Sequence, residues 1–254
     1  MRILCTNDDG YLALGLNVLA RAARNLGEEV SVVAPDREQS ATSHSLTLHH
    51  PLRARRARDG AMMVDGTPTD CVILAVGELL PERPDIVLSG INHGANMGED
   101  VLYSGTVAAA MEATVLGIPS IAISYTGQDP DEIEGWESVI TSLLGRLIRD
   151  DFPADTLLSV NLPAIPPGEV KGVRVTSLGR RRYSDSLTRA HDPSGKEYFW
   201  IGGGRTDWTG PDDSDFMAVR EGWISVTPLH LDLTDYALLE SVREWDVSLD
   251  GPGA

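Results

Sequence analysis

Asp8 and Asp9 stand side by side at the end of the apolar run Ile3-Leu4-Cys5, with Gly10 directly behind them. Adjacent carboxylates repel, and they coexist where a cation sits between them or water screens them. Hard divalent ions such as Mg²⁺ and Mn²⁺ take oxygen ligands, so this corner offers a metal seat; a solvated Asp-Asp-Gly turn would read the same way. Three other polar segments suit related chemistry. Residues 35–40 bring the hydroxyl of Ser40, and residues 89–98 bring Asn92 and Asn96 among glycines. Ser104-Gly105-Thr106 precedes a small-residue apolar stretch, and a helix starting there would offer unpaired N–H groups and partial positive charge to a phosphate. Taken alone, that triplet is an ordinary Ser N-cap followed by Gly, and the Asn/Gly segment an ordinary turn. Together, Asp8, Asp9, Ser40 and Asn92 would form an oxygen-only set beside an anion-holding helix start. That is the layout of phosphoryl transfer, in which a metal polarises phosphoryl oxygens and lowers the pKa of water.

Such convergence needs a scaffold. Residues 1–7 read as a strand, residues 14–26 as a helix stopped by Gly27, and residues 30–34 as a second buried strand closed by Pro35. This β-α-β unit predicts a parallel sheet with right-handed crossovers. Residues 45–58 form an extended excursion whose arginines (Arg53, Arg55, Arg56, Arg58) face solvent, with residues 61–65 pairing beside it. Gly66-Thr67-Pro68 starts a helix that runs to about Leu80. Strands at 85–89, 120–124 and 156–161 alternate with helices at 105–116 and 134–149. In an open parallel sheet, ligands bind beyond the carboxyl ends of the strands, where all four polar segments fall.

The expected fold is therefore α/β, a Rossmann-like three-layer parallel sheet with a C-terminal β-hairpin and helix extension. Residues 1–162 form the catalytic core. From Pro163 the chain changes character, with turn residues, short extended pieces and aromatics. Residues 163–254 are expected to hold hairpins, a strand at 223–227 and a helix at 236–245, serving oligomerisation and completing the core. The end of the chain is the short Gly-Pro-Gly-Ala tail.

Composition excludes several classes. The net charge is −17, a field that repels polyphosphate, so no nucleic-acid duplex is expected as partner. Lys171 and Lys196 are the only lysines, which removes the P-loop enzymes and their Walker A lysine. No apolar stretch spans a bilayer and no secretory signal is read, so no membrane partner is expected. Cys5 and Cys71 both lie in apolar runs and read as buried hydrophobes, which fits a reducing cytoplasm.

In collinear order the chain resembles the SurE (survival protein E) family of metal-dependent 5′/3′-nucleotidases. The matching blocks are residues 3–10, 32–41, 66–72, 89–92 with 96–98, and 103–107, with later likeness at 180–183 and 215–228. The resemblance puts metal ligands on Asp8, Asp9, Ser40 and Asn92. It puts the phosphate site on Asn96, Ser104, Gly105 and Thr106, with Asn92 adjoining. Asp8, Asp9 and Asn96 become the catalytic candidates. It implies hydrolysis of nucleoside 5′-monophosphates, with 3′-monophosphates and short polyphosphate as further substrates. It also implies one divalent metal per subunit, Mg²⁺ or Mn²⁺, and a homodimer or homotetramer that exchanges C-terminal elements. His93 and Ala95 depart from the family, where arginine and proline are common.

Other polar residues receive plainer readings. His93 has a suitable ordinary pKa for a general acid, but a binding or structural role is preferred. His44 packs a loop, and His49-His50 caps a strand. Arg180-Arg181-Arg182 is a solvated hairpin stem, and Asp212-Asp213-Ser214-Asp215 lacks EF-hand spacing and reads as a turn. A signalling receiver domain also opens on paired acids. It needs an aspartate where Ser89-Gly90 stands and a later lysine that is absent. A haloacid-dehalogenase-type phosphatase needs Asp-x-Asp, which Asn7-Asp8-Asp9 does not supply. A non-catalytic nucleotide-binding protein remains the other alternative.

Overall fold

The computed structural model describes residues 1–27, 29–148, 152–184, 187–201 and 205–245. Arg149, the expected end of the fourth helix, and the Gly-Pro-Gly-Ala tail lie outside the described residues.

The apolar opening forms β1 (Arg2–Thr6), followed by α1 (Leu14–Arg24) and β2 (Glu29–Pro35). Of the extended excursion only β3 (Ala54–Arg56) is strand, and it pairs antiparallel with β4 (Met62–Val64). His49 and His50 therefore cap no strand; His50 Nδ1 lies 3.3 Å from the Pro51 carbonyl. α2 (Pro68–Leu74) carries a complete capping box. The Thr67 hydroxyl accepts from Asp70 N–H, the Asp70 carboxylate accepts from Thr67 N–H, and a π-turn over Ala75–Leu79 extends the helix. Next come β5 (Ile86–His93), α3 (Gly105–Val115) and β6 (Ser120–Tyr125). A 3₁₀ turn over Pro130–Trp136 takes the first part of the expected fourth helix, leaving α4 (Glu137–Leu147), and β7 (Leu157–Leu162) follows.

The later chain supplies β8 (Val173–Val175), β9 (Arg180–Ser184), β10 (Leu187–His191), β11 (Glu197–Ile201) and β12 (Arg205–Thr209). α5 (Asp215–Arg220), β13 (Ile224–Leu229) and α6 (Tyr236–Arg243) end it. The main sheet has the order β3-β4-β2-β1-β5-β6-β7-β13-β8. Its central strands are parallel, while β13 runs antiparallel to β7 and parallel to β8. A separate two-stranded arm pairs β9 with β12 and, beyond them, β10 with β11.

Strand alternation sets the layers. In β1, Ile3 and Cys5 face the cluster built with α1 and α4, while Leu4 faces the cluster built with α2 and α3. Helices thus cover both faces. Chain order reverses at β1, whose neighbours are β2 and β5. That reversal opens a crevice beyond the carboxyl ends of β1 and β5.

Candidate active site

The crevice contains the expected residues. Asp8 follows β1 directly and is buried, 5% exposed; Asp9 is half-buried. The loop after β2 is tied in by Gln39, whose N–H donates to the Asp8 carbonyl at 2.8 Å. Ser40 lies exposed on this loop and donates its hydroxyl to Glu38 at 2.6 Å, which leaves its oxygen lone pairs available. β5 shifts register against β6 between Ser89 and Asn92, just past its last pairing with β1 at Ser89. There the His93 N–H donates to Asp9 Oδ2 at 3.2 Å. The Asn92 amide nitrogen donates to the Gly94 carbonyl at 2.8 Å, which leaves its carboxamide oxygen as the atom that could ligate.

The helix start meets Asp8 directly. The Thr106 hydroxyl donates to Asp8 Oδ1. A Cβ on Gly105 would lie 2.8 Å from Asp8 Cβ and 2.9 Å from Asp8 Oδ2, so only glycine lets the carboxylate sit against the helix tip. Ser104 caps α3 by accepting from Val107 N–H at 3.1 Å. Asn96 is gripped from three sides. Its N–H donates to Asn161 Oδ1 at 2.9 Å, Asn161 Nδ2 returns a bond to its carbonyl at 3.0 Å, and its own Nδ2 donates to Ser124 Oγ at 2.8 Å.

Electrostatics distinguish the two acids from ordinary surface carboxylates. Burial pushes the Asp8 carboxyl up to about 6; Thr106 pulls it down and neighbouring Asp9 adds to the rise. Asp9 is also raised, first by burial and then by Glu38, against the His93 N–H bond. Two desolvated carboxylates that cannot comfortably share their charge fit a divalent cation. Among the described residues no three His, Cys, Asp or Glu side chains converge, and the other oxygen groups that a metal here could use are the Ser40 hydroxyl and the Asn92 carboxamide. The buried Asn7 carboxamide oxygen and Ser89 hydroxyl, on the strand ends below, have no hydrogen-bond partner. Cys5 and Cys71 are free and buried, and burial raises both thiols, Cys5 to about 12.

His93 and His44 keep the plain roles the sequence suggested, whereas Arg181 and Asp215 differ from theirs. His93 turns Nε2 onto the Gln128 carbonyl at 3.0 Å, a structural tie. His44 Nε2 lies 2.8 Å from Glu112 Oε2 and packs its loop against α3. Arg181 is not a solvated stem residue: its side chain is 25% exposed and pairs with Asp100. Asp215 is no turn acid. It opens α5, fully buried, and accepts from three backbone N–H groups. A polar residue ending an apolar strand signals an edge position. That pattern points to Ser124 and Asn161, which sequence reasoning passed over; Glu38 carried no such signal.

Comparison with known proteins matches this arrangement to one family. The model described as "Survival protein SurE" matches residues 3–185. A protein of Gemmatimonas aurantiaca named "5′-nucleotidase SurE" is 61% identical over 249 residues, 96% of this chain and 98% of that one. The Geobacter metallireducens protein of the same name is 49% identical, covering 97% and 98%. The crystal structure of the SurE protein from Aquifex aeolicus superposes with a TM-score of 0.85 at 43% identity, over 96% of this chain and 98% of that one.

Proposed function

The chain belongs to the SurE family, and from that premise we propose that it hydrolyses nucleoside 5′-monophosphates to nucleoside and phosphate at the β1–β5 crevice. It is a 5′-nucleotidase, a phosphoric monoester hydrolase. The carrying observation is the Asp8–Thr106 bond, with Gly105 packed against the same carboxylate. It supports the reading of Asp8 as a cation-seeking acid held against an anion-seeking helix tip.

In this reading Asp8, Asp9, Ser40 and Asn92 hold one Mg²⁺ or Mn²⁺ per subunit. When bound, the ion supplies Lewis-acid polarisation of the phosphoryl oxygens and a lower pKa for water. Asn96, Ser104 and Gly105, with Asn92 adjoining, bind the phosphate, and Thr106, expected among them, gives its hydroxyl to Asp8 instead. Asp8, Asp9 and Asn96 are the catalytic residues. Water attacks phosphorus in line, the ester P–O bond breaks, and the nucleoside leaves carrying one proton. No side chain is phosphorylated. Substrates extend to 3′-monophosphates and short polyphosphate.

The division at residue 162 is kept as functional: every candidate ligand precedes it. The later segment serves assembly into a homodimer or homotetramer. Support comes from the exposed Leu187, Phe199, Trp200 and Ile201 on the arm, and from α6, an apolar-faced helix with no buried residue. No helix among the described residues is long and apolar enough to cross a membrane. With two free, buried cysteines, we place the protein in the cytoplasm.

Phosphate release from AMP and GMP in defined Mg²⁺ or Mn²⁺, with and without EDTA, tests the function. Turnover that EDTA abolishes and metal restores is expected. Metal-independent turnover or a trapped phospho-enzyme would overturn the mechanism. Light scattering showing a particle near 27.4 kDa would overturn the assembly.

A further inference from the structure

We propose that Asp215 is a positioning residue for the phosphate half of the site, acting through Gly98; the inference rests on the phosphatase reading above. Asp215 lies 117 residues from Gly98 in sequence. Its carboxylate is fully buried. Oδ2 accepts from Gly98 N–H at 2.8 Å, while Oδ1 accepts from Gly179 N–H at 2.9 Å and Phe216 N–H at 2.7 Å. Three donors on one desolvated carboxylate outnumber what a neutral amide oxygen can serve at both positions.

The turn held this way joins two phosphate-binding stretches. Asn96 lies two residues before Gly98, and a 3₁₀ turn over Gly98–Leu102 leads straight into Ser104. The arm root completes the socket. Arg181 N–H donates to Glu99 Oε2 at 2.6 Å, and the Arg181 guanidinium pairs with Asp100 while lying 5.4 Å from the Trp208 ring centre. Trp208 stacks on Phe216 at 5.5 Å and 20°. Gly98 has φ +54°, and a Cβ there would meet the Gly179 carbonyl oxygen at 2.8 Å. The backbones at Gly98, Gly179 and Gly210 therefore meet closely. None of these contacts involves Asp8, Asp9, Ser40 or Asn92. The socket acts on the anion side of the crevice; the Ser40 loop meets its turn through Ser43, whose hydroxyl donates to the Leu102 carbonyl at 2.7 Å and whose N–H donates to the Tyr103 carbonyl at 3.2 Å.

The test measures inorganic phosphate binding to the Mn²⁺-loaded protein by calorimetry, Mn²⁺ affinity by titration, and the KM for AMP. Asp215→Asn is expected to weaken phosphate binding and raise KM roughly tenfold or more, because small misplacements of a binding loop are costly. Mn²⁺ affinity is expected to fall several-fold less than phosphate affinity, since none of Asp8, Asp9, Ser40 and Asn92 bonds to the socket and the Ser40 loop meets its turn through Ser43. Trp208→Leu keeps the carboxylate, removes the stack, and should move the same two constants less; it carries the test alone if Asp215→Asn does not fold. A merely structural role would lower the active fraction and leave both constants unchanged, and that result overturns the proposal. So does a parallel loss of phosphate and Mn²⁺ affinity. Wild-type protein that binds phosphate but releases none from AMP sinks the phosphatase reading, while the ratio of phosphate affinities still decides the role of Asp215.

Discussion

The proposed metal half and the proposed phosphate half of the crevice share one sheet edge but are held by different means. Asp9 and Asn92 are half-buried and Ser40 is exposed; Asp9 and Ser40 sit on separate loops and Asn92 near the end of β5, with few bonds among them. Asn96, Ser104, Gly105 and Thr106 are all buried, and their polar groups are bonded to β6, β7, α3 and Asp8. The phosphate half is preorganised by the fold alone. The proposed metal half gathers carboxylates that burial raises and no cationic side chain neutralises in the described contacts, so a bound cation would complete it. Asp8 belongs to both, which makes it the point where the comparison can be broken.

Asp8→Asn should have the largest effect. Turnover is expected to fall roughly a hundredfold to a thousandfold, as when a preorganised electrostatic group is lost. The fold should survive because the side chain keeps its shape. The metal-free variant should in fact be the more stable one above pH 6. Asp8 is raised to about 6 in the folded chain, so ionising it opposes folding, and that penalty grows as pH rises from about 4 to 6. Denaturant midpoints of the two metal-free proteins should converge below pH 4 and separate above 6. Equal midpoints throughout would mean that Asp8 is not desolvated.

Gly105→Ala strikes the seam between the halves. Its Cβ would come 2.8 Å from Asp8 Cβ, so Asp8 or the helix tip must move. A loss of about 1–3 kcal/mol in stability is expected from overpacking, with Mn²⁺ and phosphate affinities both reduced. Retention of either affinity would separate the halves more sharply than the geometry does. Ser104→Ala should be the mildest. Loss of the N-cap costs about 1 kcal/mol and weakens phosphate binding, with Mn²⁺ affinity unchanged.

Much of the fold was legible because local periodicity is a local signal. The β-α-β opening, the Thr67 cap and the Ser104 helix start each lie within a few residues of the chemistry that specifies them. The paired acids and the Ser-Gly-Thr triplet stood out for the same reason. The misreadings share a different cause. Asp215 looked like one more acid in a turn because nothing within ten residues discloses that Gly98 and Gly179 donate to it. Arg181 looked solvated because its partner Asp100 is 81 residues away. Asn161 sits in an apolar strand and acquires its role only when β7 brings it beside Asn96.

By itself, then, the order of residues determined the layer architecture, the edge of the sheet where polar loops gather, and the kinds of oxygen and N–H groups offered there. Burial patterns and capping chemistry act over a few residues, so they are written in the local text. Only the tertiary structure decided which of those groups touch, that Thr106 spends its hydroxyl on Asp8, and that a carboxylate from the far end of the chain braces the phosphate turn. Those outcomes depend on strand order and on desolvation, which exist only once distant segments have excluded water from one another.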